Sequence, residues 1–216
     1  DVALLGDLCD YFNARIQKED ALSDTMWIDN INKQSDVIHL LRNRDIDGLH
    51  INLQELFYSN ITHGTAQGKD YTNKLLASDP IELKRNLGLN VYDKLLSVLE
   101  YATFITTYSP EEYFWVKDYD RFFASPSYLI RQLMLTQNID ILPPQCQGMS
   151  FGLNTFYGVY SGKDIEAIGI ALMLRDMFAG RNLSEIRVCE IGGGVGQLAY
   201  YMHKLGFTDY SIVDLP

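Results

Sequence analysis

The chain has 216 residues, 47% hydrophobic and 21% charged, which is long enough for one large or two small domains and too apolar for a disordered segment. Its formal net charge of -10, from 18 basic against 28 acidic residues, opposes binding to a phosphate backbone and sets nucleic acid aside as a partner. No apolar run approaches the roughly 18 to 20 residues that cross a bilayer, and no basic-then-apolar leader opens the chain, so the expectation is a soluble, cytoplasmic protein with no membrane partner.

Residues 1–145 read as a helical N-terminal domain. Leu4, Leu5, Leu8, Tyr11, Phe12 and Ile16 recur at helical spacing and predict one apolar stripe on a first helix. Ser35 and Asp36 open a second, short helix carrying Val37, Leu40 and Leu41. Asn90 and Asp93 have the spacing of a capping box ahead of Leu95, Leu96, Leu99 and Ala102. Ser109-Pro110 and Ser125-Pro126 each place an N-cap before a proline suited to the first helical turn, the second leading into Leu129, Ile130 and Leu133. The aromatic residues between Tyr101 and Tyr128 suit the core of a small helical domain better than a sugar-stacking surface. No strand pattern of convincing length interrupts this region.

Pro143-Pro144 stops the helices. Glycines at 148, 152, 158 and 162 then punctuate residues 146–162, predicting a linker or a small hairpin. Within it, the tyrosines of Phe156-Tyr157-Gly158-Val159-Tyr160 fit a packed linker better than a covering loop. Residues 163–216 form a third segment. A helix from Lys163 to Phe178, with Ile165, Ile168, Leu172 and Met173 inward, ends at Gly180. Ile186 to Ile191 is a strand, Gly192-Gly193-Gly194-Val195-Gly196 a turn, Gln197 to Leu205 a helix and Tyr210 to Val213 a second strand ending at Asp214. This is the order of one βαβ unit, whose ligand lies at the carboxyl ends of its strands. The fold class expected is therefore α/β: a helical domain followed by the first βαβ of a Rossmann-like domain.

Other chemistries find little support. Cys9, Cys146 and Cys189 are odd in number and far apart, with no C-x-x-C pair, which argues against disulfides and thiolate zinc. Cys189, inside the first strand, reads as a small buried hydrophobe. His39, His50, His63 and His203 form no close pair, so no metal site is expected. His63 reads as a loop residue before it reads as a general base, and His203 as a surface residue. Asp45-Ile46-Asp47-Gly48 lacks the spaced ligands of a calcium loop and reads as a solvated turn. The two N-x-S/T triplets, at Asn60 and Asn182, read as accidental.

The glycine turn carries the chemistry. Gly192, Gly194 and Gly196 let the backbone bend sharply and approach a ligand with no Cβ between, and the following helix aims its unpaired N–H groups at the same place. Asp214 follows Gly192 at about the twenty-residue spacing from which a second-strand acid accepts hydrogen bonds from ribose hydroxyls. A dinucleotide fingerprint needs a third glycine where Gln197 stands. Glu190, two positions before Gly192, repels a pyrophosphate and suits a ligand with a cationic amine and a sulfonium, which is S-adenosylmethionine.

The run Glu190-Ile191-Gly192-Gly193-Gly194-Val195-Gly196 resembles motif I of class I methyltransferases. Together with Ile212-Val213-Asp214-Leu215-Pro216, it is similar to the sugar O-methyltransferases in particular, over about residues 187–216. The resemblance implies that the glycines at 192, 193, 194 and 196 line the methionine half of the cofactor and that Glu190 orients the turn and the cofactor's amino group. It further implies that Asp214 holds the ribose and that Leu215 packs near the adenine. The implied reaction is in-line attack by an acceptor oxygen, a saccharide or other small-molecule hydroxyl, on the sulfonium methyl. It needs positioning and a base, and no catalytic residue is assigned. Neither Asp1 nor the Val213–Pro216 end reads as a gene boundary, and the base and most of the acceptor pocket are expected beyond residue 216, leaving the chain inactive alone. A nicotinamide-dependent oxidoreductase is the alternative enzyme, disfavoured by the glycine spacing and Glu190. A non-catalytic reading gives the helical front a homodimerising or partner-binding role.

Overall fold

The computed structural model describes residues 2–16, 28–63, 68–104, 125–144 and 151–213. The protein is mixed α/β, mostly helical with a few short strands. Two compact units divide between Ser78 and Asp79, upstream of the 146–162 segment at which the sequence places its boundary.

The first unit holds α1 (Val2–Ile16), α2 (Ile28–Lys33), α3 (Ser35–Arg42), α4 (Ile46–Gln54) and α5 (Lys69–Leu76), with a 3-10 turn at Asn60–Thr62. Its small core gathers Cys9, Val37 and Leu49, against which Leu40, Leu41, Ile46 and Ile61 pack. The expected stripe on α1 is a correction: Leu5 and Cys9 are buried, whereas Leu4, Leu8 and Tyr11 face solvent. Both rows are apolar at helical spacing, and α3 and α4 cover only one of them. Asp45 is the N-cap of α4, its carboxylate accepting from the Gly48 N–H at 2.9 Å, which accounts for the acidic turn without a cation.

The second unit begins with α6 (Pro80–Tyr101), followed by α7 (Pro126–Gln137), the antiparallel hairpin β1 (Gly152–Thr155) and β2 (Gly158–Ser161), and α8 (Gly162–Met177). It continues through β3 (Arg187–Ile191), α9 (Gln197–Lys204) and β4 (Asp209–Val213). The helix expected to start at Asn90 is instead the second half of α6, capped by Asp79 with Pro80 in its first turn. Asn in a helix interior costs only a fraction of a kcal/mol, about 0.5, and the burial of Val91, Leu95 and Leu99 outweighs it. Ser125 caps α7 as expected, its hydroxyl accepting from the Tyr128 N–H. Residues 146–162 do contain the small hairpin. The Ser109-Pro110 helix start lies outside the described residues.

Leu129, Ile130 and Leu133 of α7 and Ile165, Ile168 and Leu172 of α8 complete the core with Tyr160, Tyr201, Met202 and Phe207. Met173, expected inward, is exposed on α8. Within residues 156–160, Tyr160 is fully buried, its hydroxyl donating to the Ile141 carbonyl at 3.1 Å, in keeping with the packed linker expected there.

Gly88 sits in the middle of α6, and a Cβ built there meets nothing within 4 Å. Gly88→Ala is therefore expected to stabilise the protein by about 0.5 to 1 kcal/mol, because it removes only backbone freedom from the unfolded chain. Urea denaturation checks this, as a higher midpoint at unchanged slope.

Candidate functional site

β3 and β4 are parallel neighbours, in the register Val188 opposite Tyr210 and Glu190 opposite Ile212. A parallel pair cannot be joined by a tight turn, and here the crossover contains α9, which packs on α8 and β4. Side-chain alternation puts Val188, Glu190 and Tyr210 on one half-buried face, while Arg187, Cys189, Ile191, Asp209 and Ser211 are exposed on the other. Cys189 is thus exposed, a correction to its expected burial: a residue between Val188 and Glu190 points away from the face that α9 covers.

The turn leaves the C-terminal end of β3. Gly192 extends the ladder, its N–H donating to the Val213 carbonyl at 2.9 Å, with φ of +76°. Gly194 and Gly196 follow at +56° and +77°. Three left-handed residues at alternate positions fold the chain back on itself, a path that side chains with a Cβ resist. The bend closes with the Gly196 N–H donating to the Gly193 carbonyl at 2.9 Å, and Gly196 becomes the N-cap of α9 with no side chain in the capping role.

Two kinds of space surround this bend. A Cβ at Gly192 or Gly194 meets nothing within 4 Å, so there is space at both positions on the side where a side chain would stand. Gly193 faces inward: its Cβ would lie 2.6 Å from Ile212 Cγ2 and 3.2 Å from Glu190 Oε2. The turn is thus pressed against the end of β4 and against the glutamate.

Glu190 does not stand alone. The Tyr210 hydroxyl donates to its Oε2 at 2.9 Å. Burial, and then the Glu190 carboxylate beside it, push the Tyr210 phenol well above its ordinary range, so it stays a donor.

The helix that carries the turn is anchored along its length. Tyr201 donates to Asp164 Oδ1 at 3.1 Å, Tyr200 to the Leu142 carbonyl at 3.0 Å, and Lys204 to Asp140 Oδ2 at 2.7 Å. Asp164 is the N3 residue of a capping box on α8: its Oδ2 accepts from the Ser161 hydroxyl at 2.6 Å and the Ser161 N–H at 2.8 Å. Burial raises the Asp164 carboxyl above the ordinary value, opposed by the donors of Ser161 and Tyr201. Burial and the Asp164 charge likewise raise the Tyr201 phenol.

Of the expected site residues, Glu190, Gly192, Gly193, Gly194 and Gly196 come together at this one bend. Asp214 and Leu215 lie outside the described residues. His203 is exposed on α9. His63 belongs to the first unit, where its Nδ1 lies 3.0 Å from Asp70 Oδ2. Among the described residues no group of His, Cys, Asp and Glu is arranged to hold a metal ion, and no helix is long and apolar enough to cross a membrane.

Sequence reasoning missed Tyr210, Ile212 and the Asp164–Tyr201 contact. The S-x-x-D spacing of Ser161 and Asp164 was a readable signal for the capping box. Tyr210 was findable by strand alternation, once the parallel register fixes which residues of β4 face Glu190. No protein family, curated protein or solved structure matches this chain.

Proposed function

We propose that the chain carries the cofactor-binding βαβ of a Rossmann-like, S-adenosylmethionine-dependent O-methyltransferase that acts on a sugar hydroxyl. The observation that carries the reading is the bend itself: left-handed glycines at 192, 194 and 196, with space at 192 and 194 where a Cβ would stand, between β3, with Glu190 next to its last residue, and α9, whose N-cap is Gly196. Backbone without Cβ atoms admits a ligand to van der Waals contact, and amides at a helix start donate to its acceptor atoms.

The residues fit the cofactor. Glu190 supplies a carboxylate beside the turn for a cationic amine, while Gly192 and Gly194 leave room for the chain that bears it. Asp214, directly after β4, is assigned to the ribose and Leu215 to the adenine, from the resemblance to sugar O-methyltransferases. A methyl group on a sulfonium, open to in-line attack, is the chemistry S-adenosylmethionine supplies when bound. The part of these residues is to hold the donor at a fixed place and orientation, which supports catalysis through proximity. A pyrophosphate-bearing dinucleotide suits the bend less well, because the Glu190 carboxylate would face its phosphates.

Thermal-shift titration of the native gene product tests the reading. S-adenosylhomocysteine is expected to raise the melting temperature in a dose-dependent way, since a ligand at 100 times its Kd adds about 2.7 kcal/mol of stability. Stabilisation by NAD and not by S-adenosylhomocysteine overturns it in favour of an oxidoreductase.

A further inference from the structure

Glu190, next to the last residue of β3, carries a long side chain with several rotamers. Tyr210 lies opposite Val188, two residues back along β4 from Ile212, which pairs with Glu190, so the phenol reaches diagonally across the two strands to Oε2 at 2.9 Å. Such diagonal neighbours are within reach of aromatic side chains. The same Oε2 lies 3.2 Å from where a Gly193 Cβ would stand, which puts the held carboxylate against the turn. Among the described residues, no side chain or backbone N–H donates to the other oxygen, Oε1.

We propose that Tyr210 is a positioning residue: its hydroxyl fixes Oε2 of Glu190 against the glycine turn, so that Oε1 receives the cationic amine of an amino-acid-bearing adenosine. The proposal rests on the methyltransferase reading and adds to it a determinant for the amino-acid half of the ligand. A phenol suits the task because it donates one hydrogen bond, brings no charge to compete for the amine, and holds its proton at neutral pH. Lysine or arginine in its place would neutralise the carboxylate that the amine needs.

The test compares two ligands that share adenosine and sulfur, S-adenosylhomocysteine and 5′-methylthioadenosine, of which only the first has the amino-acid group. Isothermal titration of the native gene product is expected to give tighter binding of S-adenosylhomocysteine. Tyr210→Phe is expected to weaken S-adenosylhomocysteine by about fivefold, the worth of one hydrogen bond of ordinary strength, and to change 5′-methylthioadenosine by less than about twofold. Glu190→Gln, which keeps an acceptor for the phenol and removes the charge, is expected to erase more of the preference. If Tyr210→Phe weakens both ligands equally, the residue is merely structural and the proposal falls. It also falls if the preference is unchanged in that variant. Binding of neither ligand to the wild-type protein overturns the methyltransferase reading itself, an outcome distinct from the other two.

Discussion

Replacing Asp164 with alanine is expected to cost about 3 kcal/mol of stability or more, one of the two largest effects that any single substitution near the site should produce. The carboxylate accepts three hydrogen bonds, from the Ser161 N–H, the Ser161 hydroxyl and the Tyr201 hydroxyl, and all three groups are shut away from water. Removing the acceptor strands these donors and opens the capping box of α8. It also releases Tyr201, one of the contacts that fixes α9 behind the glycine turn. Asp164→Asn keeps the shape and an acceptor oxygen for Ser161 but turns an N–H toward the Tyr201 hydroxyl, which must then accept, so an intermediate loss is expected. The pH dependence separates charge from shape. Burial raises the folded carboxyl above its unfolded value, so between the two the folded protein keeps a proton that the unfolded chain has released. The aspartate's contribution is complete below the unfolded value and declines as pH rises through the folded one. The stability gap between wild type and Asp164→Asn is therefore expected to narrow with rising pH, and urea melts across the acid range measure it. A gap that widens instead contradicts this account of the buried carboxyl.

Gly193→Ala is expected to be the second large effect. The added methyl would lie 2.6 Å from Ile212 Cγ2, an atom on the branch point of a β-branched side chain that has little freedom to turn away. Either the turn lifts from β4 or the strand moves, at a cost of about 1 to 3 kcal/mol, the usual range for overpacking. A lifted turn also carries Gly192 and Gly194 out of place, so S-adenosylhomocysteine affinity is expected to fall at least tenfold. Ile212→Ala, at a partly exposed site, removes both the Cγ2 and Cδ1 atoms in the way. In a double-mutant cycle it should recover about 1 kcal/mol or more of the Gly193→Ala loss. Full additivity of the two substitutions would mean that the contact does not shape the turn.

What could be read from the sequence was local chemistry. Ser125-Pro126 and the glycine run act through their own backbone, and both formed where the sequence placed them. Asn90 and Asp93 also look like a helix start, but a cap pattern inside a longer helix is silent once hydrogen bonds continue through it from Asp79. On α1 the choice between two apolar rows is made by α3 and α4, elements distant in sequence, so periodicity alone did not decide it. Cys189 followed the same logic: its face of the strand depends on where α9 comes to lie. The candidate site divides in this way too. Its glycines and Glu190 were legible from spacing, whereas Tyr210 and Ile212 became visible only with the register of β3 against β4.

The central claim is that the glycine turn at residues 192–196 receives an adenosine that bears an amino acid. A crystal structure of the native gene product grown with saturating S-adenosylhomocysteine tests it most directly. The account predicts density for the ligand against Gly192 and Gly194, with its amine at the Glu190 carboxylate. Density at another place on the protein, or a bare turn in crystals soaked to saturation, contradicts it.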